Sequence, residues 1–219
     1  MAADSKTELF EAMPVPRALM RMAVPTIVSQ LINLIYNMAD TWFIGRAGNP
    51  YMVAASSLVL TVFLMAGALG NLFGVGGGSL VVRLLGRKDP EEARRSASWT
   101  LSVSVLAAFV FSLLCLFLMD PLLCLLGASD STIVYARQYL LFVVVIGGIA
   151  NVANTTMSFM LRNVGYSRES AFGLSMGGIL NMALDPLLMF VLLPEGYQVM
   201  GAGIATMLSN YITLSEIAS

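Results

Sequence analysis

Met52 to Val82 reads MVAASSLVLTVFLMAGALGNLFGVGGGSLVV, a stretch without one charged residue. About 20 apolar residues suffice to carry a helix across a bilayer. This run therefore decides the fold class, and the rest of the chain repeats its pattern. Charged residues gather in short segments, Asp4 to Arg21, Arg83 to Arg95, Asp120 to Arg137 and Arg162 to Glu169, with Glu195 and Glu216 standing alone. Long apolar runs separate them.

Composition agrees with this pattern. Of the 219 residues, 58% are hydrophobic and 11% charged, against roughly 25% charged in an ordinary soluble domain. A water-soluble globule has no place for so much apolar surface. The expectation is an all-α polytopic membrane protein, a six-transmembrane-helix bundle with spans at about 22–44, 52–82, 96–119, 133–160, 169–193 and 199–214. Residues 1–21 are expected to form a cytoplasmic N-terminal segment, 22–214 the six-helix lobe, and 215–219 a cut-short C-terminal end. The polar first dozen residues lack the apolar core and small-residue cleavage site of a secretory signal, so the first span is expected to stay in the mature protein.

Orientation follows from Lys and Arg, which concentrate in cytoplasmic loops. With the N-terminus inside, ten of the 12 fall on inner segments, from Lys6 through Arg83–Arg95 to Arg168, and the outer segments hold only Arg46 and Arg137. An inner (plasma) membrane location with a cytoplasmic N-terminus is expected. The segment Gly86 to Arg95, with Pro90 followed by Glu91 and Glu92, reads as a short surface helix leading into the third span. A net charge of −1 gives no reason to expect a nucleic-acid partner. Cys115 and Cys124 have no metal-type spacing and read as packing residues.

Two carboxylates lie well inside predicted spans, Asp40 in the first and Asp185 in the fifth. Insertion scales put such a residue at mid-membrane at about 2.5–3.5 kcal/mol, so each is a functional candidate. Gln30, Asn33, Asn37 and Asp40 recur every three or four residues and share one helix face, with Tyr36 one turn before Asp40. Asn181 stands one turn before Asp185. Asn151, Asn154, Thr155, Ser158 and Arg162 stripe the fourth span, and Thr206 and Asn210 the sixth. Converging polar stripes enclose a hydrated cavity in which carboxylates bind ions, protons or cationic substrates. The amides and hydroxyls, taken singly, are also explained as helix-to-helix hydrogen bonds at roughly 0.6 kcal/mol each.

Helix breakers add to the pattern. Pro25 removes a backbone hydrogen bond early in the first span and invites a bend. Pro186, directly after Asp185, disfavours regular helix beside the carboxylate. Gly67, Gly70, Gly74, Gly76, Gly77 and Gly78 fit close packing, with a moving hinge as the alternative. They lack the Gly-Lys-Ser/Thr ending of a phosphate loop. The 15 Met fit ordinary packing, with a pliable ligand pocket as the alternative. With no His and no Ser-Lys or metal-ligand cluster, the chain is not expected to be an enzyme.

Several motifs together carry a resemblance. Pro25-Thr26-Ile27-Val28-Ser29-Gln30, Ala39-Asp40-Thr41-Trp42-Phe43-Ile44-Gly45, Gly77-Gly78-Ser79 with Arg83-Leu84-Leu85-Gly86-Arg87-Lys88-Asp89, Leu161-Arg162-Asn163-Val164-Gly165, Asn181-Met182-Ala183-Leu184-Asp185-Pro186 and Gly201-Ala202-Gly203-Ile204-Ala205-Thr206 follow in order along the chain. In these stretches the chain resembles the N-terminal half of the multidrug and toxic compound extrusion (MATE) family. The resemblance implies one lobe of a twelve-helix antiporter that exports cationic or amphiphilic compounds in exchange for protons or sodium. It implies that Asp40, Asn181, Asp185 and Thr206, with Tyr36 nearby, form the ion- or proton-binding site, and that Pro25 sits where the first helix bends. Gln30, Asn33, Asn37, Asn151, Asn154 and Thr155 are expected to line the cavity. No cofactor is expected. The coupling ion is H+ or Na+, a sodium ion would sit at Asp40, Asn181 and Asp185, and no other metal site is expected. Partners are the bilayer, a small-molecule substrate, and a second six-helix lobe or a second copy. The rival readings are a lipid-linked precursor flippase, whose cavity would be cationic rather than acidic, and a non-transporting orphan half or subunit.

Overall fold

In the computed structural model, residues 14–218 are described, and every regular element among them is a helix. The elements are α1 (Val15–Arg46), α2 (Pro50–Gly86), α3 (Pro90–Phe117), the short α4 (Met119–Leu125), α5 (Asp130–Leu140), α6 (Gly147–Asn163), α7 (Ser167–Leu187) and α8 (Gln198–Ala218). A π-helical turn, Leu141–Ile146, joins α5 to α6, and a second, Leu188–Leu192, extends α7. The first helix starts ahead of its expected span, which began at 22. Most of the expected segment 1–21 lies outside the described residues, as does Ser219.

Five stretches among the described residues are long and apolar enough to cross a membrane: Leu19–Arg46, Pro50–Gly86, Pro90–Phe117, Asp130–Asn163 and Ser167–Leu192. The helix expected as the sixth span, α8, is not among these five; it has 21 residues, about 31 Å at 1.5 Å per residue. Thr206, Ser209, Asn210 and Thr213 dilute its apolar character. Thr206, Ser209 and Thr213 are buried, so this polarity points into the bundle. The helix also continues past 214, where the expected span ended.

Of residues 86–95, expected as a short surface helix leading into the third span, 90–95 form the first turns of α3 itself. Asp89 caps it by accepting from the Glu92 N–H at 3.1 Å, Pro90 needs no donor there, and Glu91 and Glu92 face the positive end of the helix dipole. The helix then continues without interruption to Phe117.

Packing explains most of the glycines. A Cβ on Gly70 would lie 2.7 Å from Thr155 Cβ, and one on Gly74 2.8 Å from Phe159 Cβ, so α2 and α6 touch backbone to side chain. Gly77 and Gly78 come closer still to Thr100 and Asn163, whereas Gly67 and Gly76 face open space. A core of Val59, Val62, Leu140, Val144, Met189 and Val199 joins α2, α5 and α8 with both π turns. Cys115 belongs to that core, but Cys124 is exposed and is no packing residue. The outward faces carry Leu31, Leu34, Met38, Leu72, Phe117 and Leu125. An apolar exterior is what a bilayer requires of a bundle whose backbone bonds are met internally.

Neither interior proline breaks its helix. Pro25 lies within α1, and next to it the Thr26 hydroxyl donates to Met22 O at 3.1 Å. Asp185 is helical despite Pro186, and the irregularity falls just beyond, at the π turn that starts at Leu188.

Candidate functional site

α1 packs chiefly against α7, which sets the two acidic helices side by side. Gly178 on α7 makes this possible: a Cβ there would meet Tyr36 Cδ1 at 2.9 Å, so the absent side chain seats the tyrosine ring. Asp40 follows one turn later on α1, and its Oδ2 accepts from the Tyr139 hydroxyl of α5 at 2.9 Å. Its Oδ1 is buried without a hydrogen-bond partner.

Asp185 is completely enclosed, 0% exposed. Asn181, one turn earlier and 1% exposed, covers it. The amide is assigned with Nδ2 donating to Asp185 Oδ2 at 3.3 Å and Oδ1 accepting from the Thr206 N–H and hydroxyl, both at 3.2 Å. That orientation gives each atom a partner of the right kind. Asn181 thus links α7 to α8 and leaves Asp185 no direct opening. Asp40, Asp185, Tyr36 and Tyr139 all lie within electrostatic reach of one another.

Two hollows flank this cluster. The smaller, about 70 Å³, is lined by Tyr36, Asn37, Asp40, Ser56, Tyr139 and Thr206. The larger, about 370 Å³, is lined by Gln30, Asn33, Asn151, Asn154, Thr155 and Asn181 among others. Tyr36 and Thr206 border both. The expected residues are therefore gathered but divided. Asn37 lies with Asp40 rather than in the larger cavity, and its Nδ2 donates to Asn33 Oδ1 at 2.8 Å. Asp185 lines neither hollow, so the two acids do not share one open pocket. Pro25 lines neither.

Sequence spacing missed several participants. Tyr139 gave no signal, because an isolated Tyr at the edge of an apolar run is ordinary. Ser209 and Thr213 follow Thr206 at spacings of three and four, so the α8 stripe could have been extended to include them.

The MatE family model matches residues 25–187. The multidrug export protein MepA of Staphylococcus saprophyticus is 30% identical over 211 residues, covering 95% of this chain and 46% of that protein. MepA of Staphylococcus aureus is 31% identical over 209 residues, covering 94% and 45%. Among solved structures, a MOP superfamily transporter from Pyrococcus furiosus superposes with a TM-score of 0.85 at 27% identity, covering 97% of this chain and 46% of its own. The chain thus spans about half the length of the relatives it matches. It is a multi-pass membrane protein whose relatives are transporters rather than enzymes, and it belongs to the MatE family of multidrug efflux proteins.

Proposed function

We propose that this chain is one lobe of an ion-coupled antiporter that exports cationic or amphiphilic compounds, with Asp40 and Asp185 taking the coupling ion. The observation that carries this reading is the meeting of two carboxylates, from α1 and α7, with Tyr36, Tyr139, Asn181 and Thr206 inside a membrane bundle. A sealed carboxylate such as Asp185 is costly to keep charged in a low-dielectric interior. A bound proton or sodium ion removes that cost. Asp185 and Asp40 offer carboxylate oxygen, the ligand type hard cations take, whereas Asn181 turns its Nδ2 toward Asp185 and would have to rotate its amide to add Oδ1 to the set.

Exchange follows if the ion and the exported cation favour different arrangements of the lobe. A cationic compound beside Asp40 draws on the same negative charge as the ion. Binding of one therefore weakens binding of the other. Tyr36 and Thr206, bordering both hollows, carry the effect from the ion cluster to the larger cavity. Pro25 leaves one carbonyl of α1 without its usual partner, which lowers the cost of bending the helix that carries Asp40. The reading places the chain in the inner (plasma) membrane with its N-terminus cytoplasmic, on the Lys and Arg distribution. A second lobe, or a second copy, completes the central cavity.

Fluorescence anisotropy of ethidium with the purified chain in detergent tests the competition. The dye should bind, and either added Na+ or acidification should displace it. In Asp40→Asn the displacement should disappear. Ethidium binding that ignores both ions contradicts the proposal.

A further inference from the structure

Charge is sorted by depth at the corner where α2 turns into α3. Arg83 lies in the last turn of α2, Arg87 and Lys88 in the connection, and Arg94 and Arg95 in the second turn of α3. All five are exposed, and none has a carboxylate within ion-pair distance among the described residues. The acids Asp89, Glu91 and Glu92 stand at the tip, where Asp89 caps α3 and the other two face its positive dipole end. Beneath the cations the surface turns apolar. Trp99, Val103, Leu106 and Val110 recur at spacings of four, three and four, all exposed, and so form one outward stripe along α3. Arg95 heads that stripe one turn before Trp99, about 6 Å farther from the hydrocarbon, and Glu91 is another turn beyond.

Lys88 supplies a second, independent observation. It is held at φ 61°, in the left-handed region, where the other four positive-φ residues described are Gly48, Gly127, Gly165 and Gly196. A side chain there crowds its own backbone, which glycine avoids. A small buried core of Val81, Leu84 and Ala93 fixes the corner in place. Orientation of the chain asks for cations on this side of the membrane, and Arg87 beside the lysine already meets that need. It gives no reason to keep a lysine in a conformation that costs stability. A residue held in such backbone points to a use for its side chain.

We propose that the α2–α3 corner binds the phosphate headgroup of an anionic phospholipid, with Lys88 and Arg95 among its cations and an acyl chain along Trp99, Val103 and Leu106. The inference needs a membrane-spanning bundle and does not rest on the transport reading. An exposed tryptophan marks the headgroup level of a bilayer, so cations one turn outside it stand where lipid phosphates lie. Arginine offers the phosphate a planar fork of N–H donors, and a lysine stem is long enough to bring its ammonium to the same level. The acids lie a further turn away, where screening weakens their repulsion.

Brominated acyl chains quench a tryptophan they touch, and Trp42→Phe leaves Trp99 as the chain's one tryptophan. Its fluorescence in nanodiscs of mixed phosphatidylglycerol and phosphatidylcholine, with one or the other lipid brominated, reports which lipid it meets. The anionic lipid should be favoured about fivefold, the worth of one well-placed basic residue at an anionic surface. In Lys88→Gly and in Arg95→Gln the preference should fall to within about twofold, whereas Arg137→Gln, at the opposite end of the bundle, should keep it. Lys88→Gly should also melt at or above the parent temperature, which separates the lost charge from a damaged fold. Equal quenching by the two lipids in the parent, or an undiminished preference in both variants, overturns the site. So does a return to equal quenching on adding glycerol phosphate, which would make the ligand a soluble phosphate. None of these results touches the transport reading.

Discussion

The Tyr139 hydroxyl donates to Asp40 Oδ2 at 2.9 Å across 99 residues of chain, tying α5 to the acid of α1. The main neighbour of α1 is α7, and on the α5 side Ile44 is fully buried in the core shared with Ala136, Tyr139 and Leu140. The bond and the Ile44 contact together close the bundle on the side where Asp40 sits.

Tyr139→Phe deletes that bond and leaves both Asp40 oxygens unpaired. A hydrogen bond to a charged group contributes about 1.5–3 kcal/mol. The variant should melt several degrees lower in detergent, as measured by differential scanning fluorimetry, and Asp40→Asn in the same background should recover part of the loss. An unchanged melting temperature would mean the bond contributes nothing.

Asn181 and Asp185 should respond in opposite ways. Asn181→Leu strands an enclosed carboxylate and the Thr206 hydroxyl, a defect of about 1–3 kcal/mol. Asp185→Asn removes the charge and keeps the shape, so it should melt at or above the wild-type temperature while abolishing ion competition for bound dye. Thermal melts of the two variants side by side check the contrast.

Gly178→Ala places a methyl against the Tyr36 ring, where a Cβ would lie 2.9 Å from Cδ1. Overpacking of this kind costs about 1–3 kcal/mol. The tyrosine must move, so the variant should lose both stability and ion competition. Gly76→Ala, which meets open space, should lose neither.

Arg137 forms a bidentate pair with Asp120, at 2.6 and 2.7 Å, with both side chains about half exposed. Solvent screening reduces such pairs to about 0–1 kcal/mol. Arg137→Ala should leave melting temperature and dye binding nearly unchanged, which makes it the control for the charge substitutions above.

The bundle was legible because charges and apolar runs alternate, and because a bilayer accepts few arrangements other than helices. Asn181 and Asp185 were legible as a pair because helical spacing puts them one turn apart. Spacing along one helix says nothing of what a neighbouring helix brings, so neither the Tyr139 bond nor the enclosure of Asp185 behind Asn181 could be read from it. The π turns were equally hidden. Their apolar sequences, Leu141–Ile146 and Leu188–Leu192, have no local mark, and the widening is set by packing against α8, where a Cβ on Gly201 would lie 3.0 Å from the Leu188 carbonyl. Local rules misplaced the irregularity at Pro186 and detached the first turns of α3 because they weigh single residues without their tertiary support.

Ion-driven dye release tests the central claim most directly. Membrane vesicles carrying the chain, loaded with ethidium, would be given a proton gradient or a sodium gradient, and fluorescence would report export. Wild type should respond to at least one gradient, whereas Asp40→Asn and Asp185→Asn, present at equal levels, should respond to neither. Gradient-driven export at wild-type rates in both variants would contradict the assignment of these carboxylates to the coupling ion.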